Sequence, residues 1–420
     1  MKVYKFGGAS VRSAEGIRNI VRILSGVNDD LFIVVSAMGK TTNAMEIVLD
    51  HFMKADRKAS LQKLAEVEEF HYQIIDELFQ SPENGRNAVV TLFDKLHALI
   101  NNGIGDDYDR WYDHLVSYGE VISTKIVSAF LLESGMQNTW LDMRGLLVTD
   151  SNFREANVRM EESQIRLKAA ADFEKSRIYI GQGFIGANIK GDPTTLGREG
   201  SDYTAAVVAH LLDAESVSIW KDVPGILNAD PRIFPDTVLI PELTYLDAVE
   251  LAYSGAQIIH PKTIKPLENK NIPLYVRPFG NPDEAGSVIK AKTESAIDVP
   301  ILILRKHQVL VTVRPRDFSF VLEESLSKLF TVMNKHRLKV SLIQSSAVSI
   351  SVCVDNSRYF TSAIDELSNE FRVNYNEEVE LLTIRGKNDE IVRKTTEGRS
   401  IMLSQHTRRT VRFLMKELSE

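Results

Sequence analysis

Short apolar runs, several without any polar alternation, recur through the first 290 residues and constrain this chain more than any other feature: Lys2 to Phe6, Leu31 to Ser36, Thr139 to Met143, Arg177 to Gly181, Val217 to Trp220 and Pro273 to Val276. They are rich in β-branched and aromatic residues and have the length of strands. Between them lie stretches with helical spacing: Ile17, Ile20, Val21 and Leu24 share one face, as do Val121, Ile122, Ile126 and Ala129. Strands apolar on both sides must be covered on both faces, so the pattern predicts an α/β fold built on a largely parallel sheet. Residues 43–135 interrupt the alternation with mostly helical sequence, read as a helical insertion or lid.

The polar, turn-rich stretch from Gly280 through Asp298 marks a domain boundary after residue 290. Beyond it, residues 300–385 read strand (Gln308 to Val313), helix (Leu322 to His336), strand (Lys339 to Gln344), strand (Ala347 to Asp355), helix (Tyr359 to Phe371) and strand (Glu378 to Arg385). That βαββαβ order predicts a ferredoxin-like unit. Residues 386–420 hold one short helix and two strand-like runs, too little chain to form a core alone.

Composition narrows the function. Fifty basic against fifty-seven acidic residues leave a net charge of -7 without a long basic run, so nucleic acid is not expected as a partner. No apolar stretch approaches the roughly eighteen residues of a membrane span, and no signal peptide opens the chain, so a cytoplasmic location is expected. The single cysteine, Cys353, sits in an alternating strand-like run and reads as a small core residue rather than a reactive thiol.

The chemical information lies in loops at the carboxyl ends of the predicted strands. Lys5-Phe-Gly-Gly-Ala-Ser-Val11 joins two glycines, a helix N-terminus and a lysine, which suits a phosphate. Ser36-Ala-Met-Gly-Lys-Thr-Thr-Asn43 contains Gly-Lys-Thr, but a P-loop would need its first glycine where Val34 stands, so that reading is rejected. Thr42 of this loop remains able to hold a substrate through its hydroxyl. Gly181-Gln-Gly-Phe-Ile-Gly186 matches a dinucleotide fingerprint formally, yet glycines and a proline follow where a helix should open. Thr194 to Ala205 delivers Arg198, Ser201 and Asp202 to a helix start; arginine suits a carboxylate, while Asp202 could equally be a plain N-cap. Trp220 to Arg232 closes the set. Ligands of open α/β sheets gather at this edge, so the loops matter together more than singly.

In this order the segments Lys5 to Val11, Ser117-Tyr-Gly-Glu120, Gly183 to Gly186, Thr194 to Ala205, Asp222 to Arg232 and Gly255 to Pro261 resemble the aspartate kinases, with a tail similar to that family's regulatory ACT region. The resemblance implies the amino acid kinase fold, a three-layer αβα arrangement, with ACT units of ferredoxin-like type behind it. It implies transfer of the γ-phosphate of ATP, accompanied by Mg²⁺, to the side-chain carboxylate of L-aspartate, at the head of lysine, threonine and methionine synthesis. A carboxylate with a pKa near 4 is already ionised at neutral pH, so such a reaction needs positioning and charge neutralisation rather than a general base.

By the same resemblance Lys5 stabilises the transferring phosphoryl group and Asp202 orients that lysine. Gly7, Gly8 and Ser10 form the phosphate loop; Glu120 and Arg198 grip the ammonium and α-carboxylate of aspartate, with Thr42 and Ser201 alongside. Lys221, Asp222, Asn228, Asp230 and Arg232 fall in the nucleotide loop. No protein ligand for the metal is implied, the magnesium being carried by ATP, and a homodimer or larger homo-oligomer through the ACT region is expected. Two departures stand out: Gln257 replaces a lysine expected near ATP, and Lys221 replaces a Thr or Ser. Lys221 is therefore a candidate to supply the missing charge. In the tail, Val340-Ser-Leu-Ile343 carries Ser341 where lysine-inhibited relatives carry an acid, and residues 386–420 offer only a shortened second ACT unit, so weak inhibition by lysine is expected. Other kinases of the same fold and a catalytically silent amino-acid sensor are the alternatives; the complete Arg198 to Ala205 segment and the intact Lys5, Glu120 and Asp202 argue against them.

Overall fold

The structure is a computed structural model that describes all residues except 104–105, 257–258, 295–296, 298, 317–322, 387–388 and 418–420. Gln257 thus lies outside the described residues. The chain forms two compact units, one of Met1–Leu227, Leu239–Ala252 and Gln257–Ala296, the other of Asn228–Val238, Tyr253–Ala256 and Ile297–Glu420.

In the first unit the elements run β1 (Lys2–Phe6), α1 (Ala14–Ser25), β2 (Leu31–Val35), α2 (Thr41–Met53), α3 (Arg57–Leu78), α4 (Pro82–Asn102), α5 (Tyr108–Glu133), β3 (Thr139–Trp140), β4 (Val148–Thr149), α6 (Met160–Ala170), β5 (Ile178–Gln182), β6 (Ile185–Asn188), β7 (Pro193–Thr195), α7 (Gly200–Leu211), β8 (Ser216–Lys221), β9 (Glu242–Thr244), α8 (Tyr245–Ser254), α9 (Pro261–Glu268), β10 (Leu274–Pro278) and β11 (Ser287–Lys290). An eight-stranded sheet has the order β3-β5-β2-β1-β8-β10-β11-β9, parallel from β3 through β10. A small sheet, β4-β6-β7, stands beside it.

Side chains alternate across each strand and so serve two helical layers. Tyr4, Phe6, Leu31, Ile33, Val35, Ile178 and Ile180 face one core with Ile17, Ile20 and Leu24 of α1 and the apolar faces of α2 to α5. On the opposite face α7 packs across β1, β2 and β8. Each fully buried leucine, isoleucine or phenylalanine contributes roughly 1.5–3 kcal/mol to holding these layers together. The expected helical stretch 43–135 is realised as α2 to α5. Helix α5 is long and apolar enough to cross a membrane, but its apolar window is 78% buried in this core.

Local differences from the sequence expectation have simple causes. The run Thr139 to Met143 keeps strand geometry only to Trp140, because Asp142 accepts from the amide of Arg144 and starts a tight turn. Helix α7 begins at Gly200, not Asp202, with Glu199 in the left-handed region (φ 53°) as its N-cap residue. Asp202 therefore lies inside the first turn and is not the cap.

In the second unit come β12 (Ile301–Pro315), α10 (Glu323–Lys335), β13 (Val340–Ser345), β14 (Ile350–Asp355), α11 (Phe360–Glu370), β15 (Phe371–Arg385), α12 (Asp389–Thr396), β16 (Arg399–His406) and β17 (Thr410–Glu417). The sheet order is β13-β14-β12-β15-β17-β16, with antiparallel pairings throughout. Strands β12 and β15 are both longer than their sequence signals. Gln308 to Val313 of β12 pairs with β14, whereas Ile301 to Arg305 pairs with the end of β15, which in turn pairs with β17. Strand β17 thus borrows Ile301 to Arg305 and the end of β15 to close a small core of Leu382, Ile384, Val411, Phe413 and Met415.

Candidate active site

Strand order, which the sequence does not reveal, makes the motif loops neighbours: they follow β2, β1 and β8, with β5 next in line. Two close approaches lock them together. A Cβ on Gly8 would lie 2.8 Å from the carbonyl oxygen of Ala37, and the Gly39 amide donates to the Gly8 carbonyl at 3.0 Å. A Cβ on Gly183 would lie 2.4 Å from Cβ of Ser201, so only glycine lets this loop meet the start of α7. Ser10 is buried in the first loop, its amide bonded to the Gly7 carbonyl at 2.9 Å.

Lys5 emerges from the face of β1 opposite Tyr4 and Phe6 and is buried, an expensive position for an ammonium without a partner. Its partner is Asp202: Nζ stands 2.6 Å from Oδ1, and Lys221, on the same side of the adjacent β8, places its Nζ 3.4 Å from Oδ2. Burial alone would push the Asp202 carboxyl up, but Lys5 and Lys221 outweigh it and hold it below the usual range. One carboxylate thus divides its two oxygens between two ammonium groups. Two cations against one anion leave a net positive centre at the sheet edge, matched to phosphate. Lys221 also borders a cleft of about 760 Å³ lined by Ser10, Arg12, Ser13, Asp222 and Phe279.

Glu120 comes from the middle of α5. Helix α5 approaches the loop after β2 closely, with Gly119 against Thr41 and the Ser123 hydroxyl donating to the Ser36 carbonyl at 2.7 Å. Glu120 is 2% exposed, and its Oε2 has no hydrogen-bond partner. Burial pushes its carboxyl up to about 8, offset only in part by hydrogen bonds with the backbone at Glu120 itself and Ala37. A buried acid with one unused oxygen is built to receive a donor, and an ammonium would restore its charge. Thr42 lies in the first turn of α2 and Ser201 in that of α7. Arg198 stands exposed between two left-handed residues, Gly197 (φ 78°) and Glu199.

The nucleotide-loop residues divide. Lys221 ends β8 and exposed Asp222 follows it, both in the first unit, while Asn228, Asp230 and Arg232 belong to the second. Asn228 spends its amide within that unit, Nδ2 donating to the Pro300 carbonyl at 2.9 Å and Oδ1 accepting from the Val238 amide at 2.7 Å. Arg232 and Asp230 form an exposed ion pair at 2.7 Å. Sequence reasoning missed Asp113, Glu199 and Lys262, which brace the Arg198 loop. The one available signal was that Asp113 precedes Glu120 by seven residues, two helical turns, and so shares its face.

The amino acid kinase family model matches residues 1–278. The lysine-sensitive aspartokinase 3 of Escherichia coli is 31% identical over 84% of this chain and 78% of its own length. Aspartokinase 1 of Arabidopsis thaliana is 30% identical over 86% of this chain and 64% of its own. The crystal structure of E. coli aspartokinase III with aspartate and ADP has a TM-score of 0.83 at 28% identity, covering 99% of this chain and 96% of that one. A family match over well more than half the chain, joined to a relative of this identity and coverage, places the chain in the amino acid kinase family, among its aspartokinases.

Proposed function

We propose that the chain phosphorylates L-aspartate with ATP, giving ADP and 4-phospho-L-aspartate, and that it does so at the edge formed by β2, β1 and β8. The observation that carries this reading is the Lys5–Asp202–Lys221 centre set among the motif loops near a buried, half-satisfied Glu120. In this reading Glu120 takes the substrate ammonium and Arg198 its α-carboxylate, with Thr42 and Ser201 as hydroxyl donors. One oxygen of the side-chain carboxylate then attacks the γ-phosphorus in line. A new O–P bond forms, the bond to the β,γ-bridging oxygen breaks, and ADP leaves with that electron pair. No proton has to be removed, because the acceptor is already an anion.

Lys5 neutralises charge on the transferring group, and Asp202 holds Lys5 and Lys221 apart and aimed. Gly7 and Gly8 present backbone amides to the phosphates, and Ser10, whose amide is bonded to the Gly7 carbonyl, presents its hydroxyl. Lys221 and Asp222 meet the nucleotide from β8, and Asn228, Asp230, Arg232 and Gln257 are assigned to it by resemblance. Magnesium, bound with the nucleotide, would supply charge neutralisation at its phosphates beside that given by Lys5 and Lys221. A cytoplasmic location and self-association through the ACT-like unit complete the proposal, supported by the lone buried thiol and by the open edge strands β13 and β16.

The test is turnover with ATP, Mg²⁺ and L-aspartate, trapping the acyl phosphate with hydroxylamine. Hydroxamate formation is expected with L-aspartate and not with L-glutamate. ADP release without hydroxamate, or equal rates on both acids, would contradict the assignment.

A further inference from the structure

The loop that carries Arg198 is held from both flanks, and one of the holders is a fully buried carboxylate on the helix that carries Glu120. Asp113 Oδ2 accepts from the backbone amides of Thr195, at 2.9 Å, and Arg154, at 3.0 Å, while its Oδ1 accepts from the Thr195 hydroxyl at 2.6 Å. Thr195 ends β7, three residues before Arg198. Arg154, in the left-handed region (φ 70°), reinforces the grip: its guanidinium pairs with Asp109, one turn earlier on α5, at 3.2 Å and lies 4.5 Å from the Tyr112 ring centre.

On the other flank Lys262, at the start of α9, donates to the Leu196 carbonyl at 3.2 Å, and Glu199 accepts from the His260 amide at 2.8 Å. The segment bearing Arg198 is therefore fixed by short bonds on either side, while Arg198 itself stays exposed. Asp113 and Glu120 lie seven residues apart on α5, so the same rigid rod sets the position of Glu120 and the position of the Arg198 loop.

We propose that Asp113 is a positioning residue for the acceptor amino acid: by clasping Thr195 from α5 it sets the span between Arg198 and Glu120, and so selects a ligand with an α-carboxylate and an ammonium at that separation. This rests on the reading that Arg198 and Glu120 hold the α-carboxylate and the ammonium of aspartate, the two groups borne on its Cα. The burial that pushes the Asp113 carboxyl up to about 6 is opposed by the bonds from Thr195 and Arg154, consistent with a group kept for its contacts with this loop. Asp113 need not touch substrate. Its effect belongs in the aspartate KM and not in the ATP KM, because the residues it holds precede Arg198, whereas Lys5, Lys221 and Asp202 stand on other elements.

The experiment is steady-state kinetics on the full chain for D113A, D113N, T195V and R198A, with both substrates varied. D113A is expected to raise the aspartate KM about tenfold or more while leaving the ATP KM within about twofold, the pattern of lost uniform binding to one substrate. The isosteric amide of D113N can accept from both backbone N–H groups and donate to the hydroxyl, so it should bring the aspartate KM back to within about threefold. T195V, which keeps the backbone bond and loses only the hydroxyl bond, should fall between them and serves as the deciding variant if D113A does not fold.

An unchanged aspartate KM in T195V together with an unchanged or equally raised pair of KM values in D113A overturns the proposal; so does failure of D113N to rescue. R198A separates the two levels. If R198A leaves the aspartate KM unchanged, the substrate-binding reading itself fails, whereas a raised KM in R198A beside normal values in D113A and T195V removes only the role given to Asp113.

Discussion

Glu120 shows how one buried atom ties chemistry to acidity. Its carboxyl, up at about 8 against an ordinary 4.5, titrates higher in the folded protein than in the unfolded chain. Its contribution to stability is therefore present at low pH and is lost as pH rises through the interval between those two values. Under the proposed function, a substrate ammonium at Glu120 would reverse the balance, because the charged form would then have a partner. Thermal denaturation of the unliganded protein is expected to show wild type losing ground to E120Q as pH rises from about 5 to about 8, with saturating L-aspartate narrowing the gap. Parallel curves for the two proteins would contradict this. Lys221 permits a sharper test. A charge-assisted contact to phosphate carries roughly 1.5–3 kcal/mol, so K221A should raise the ATP KM or lower kcat by about tenfold or more. Unchanged values of both would remove Lys221 from the nucleotide site.

At the level of elements, the parallel sheet and its helical cover were legible because both depend on side-chain periodicity, which local sequence records. Ile17, Ile20 and Leu24 declare the buried face of α1 directly. The lengths of β12 and β15 were not legible: Arg305-Lys-His-Gln308 and Asn374 to Glu378 are polar, and they are carried into strand geometry by pairings between residues far apart in sequence, Arg305 with Leu381 and Gln308 with Val379, Asn374 with Thr312 and Asn376 with Leu310, across register shifts. Much of the site was legible because its residues cluster in short motifs. The bracing by Asp113 was not, since α5 and β7 meet only through the fold. Packing at the start of α7 gives this scale its own prediction. A methyl group on Gly183 cannot fit against Ser201 without moving the turn that carries Asp202. G183A is expected to lower kcat by about tenfold or more with only a modest fall in Tm, and near-normal kcat would show that this turn yields freely.

For the whole molecule, regulation is read from the second unit. Ser341 is nearly buried, and its hydroxyl accepts from Arg305 at 2.5 Å, while the same guanidinium pairs with Asp355 at 2.6 Å. A lysine ammonium arriving at Ser341 would meet a guanidinium rather than a carboxylate, so steady-state assays at physiological lysine should show weak inhibition, and potent inhibition would contradict the reading. The strands β12 and β15 bear on something further. Because each serves one set of partners with its first half and another set with its second, a single ribbon belongs to two cores at once. A slip of one residue in that ribbon would turn both cores inside out together. Cutting the ribbon between its halves would open both cores, so a chain truncated within β15 is expected to lose the fold of the second unit as a whole rather than of one core alone.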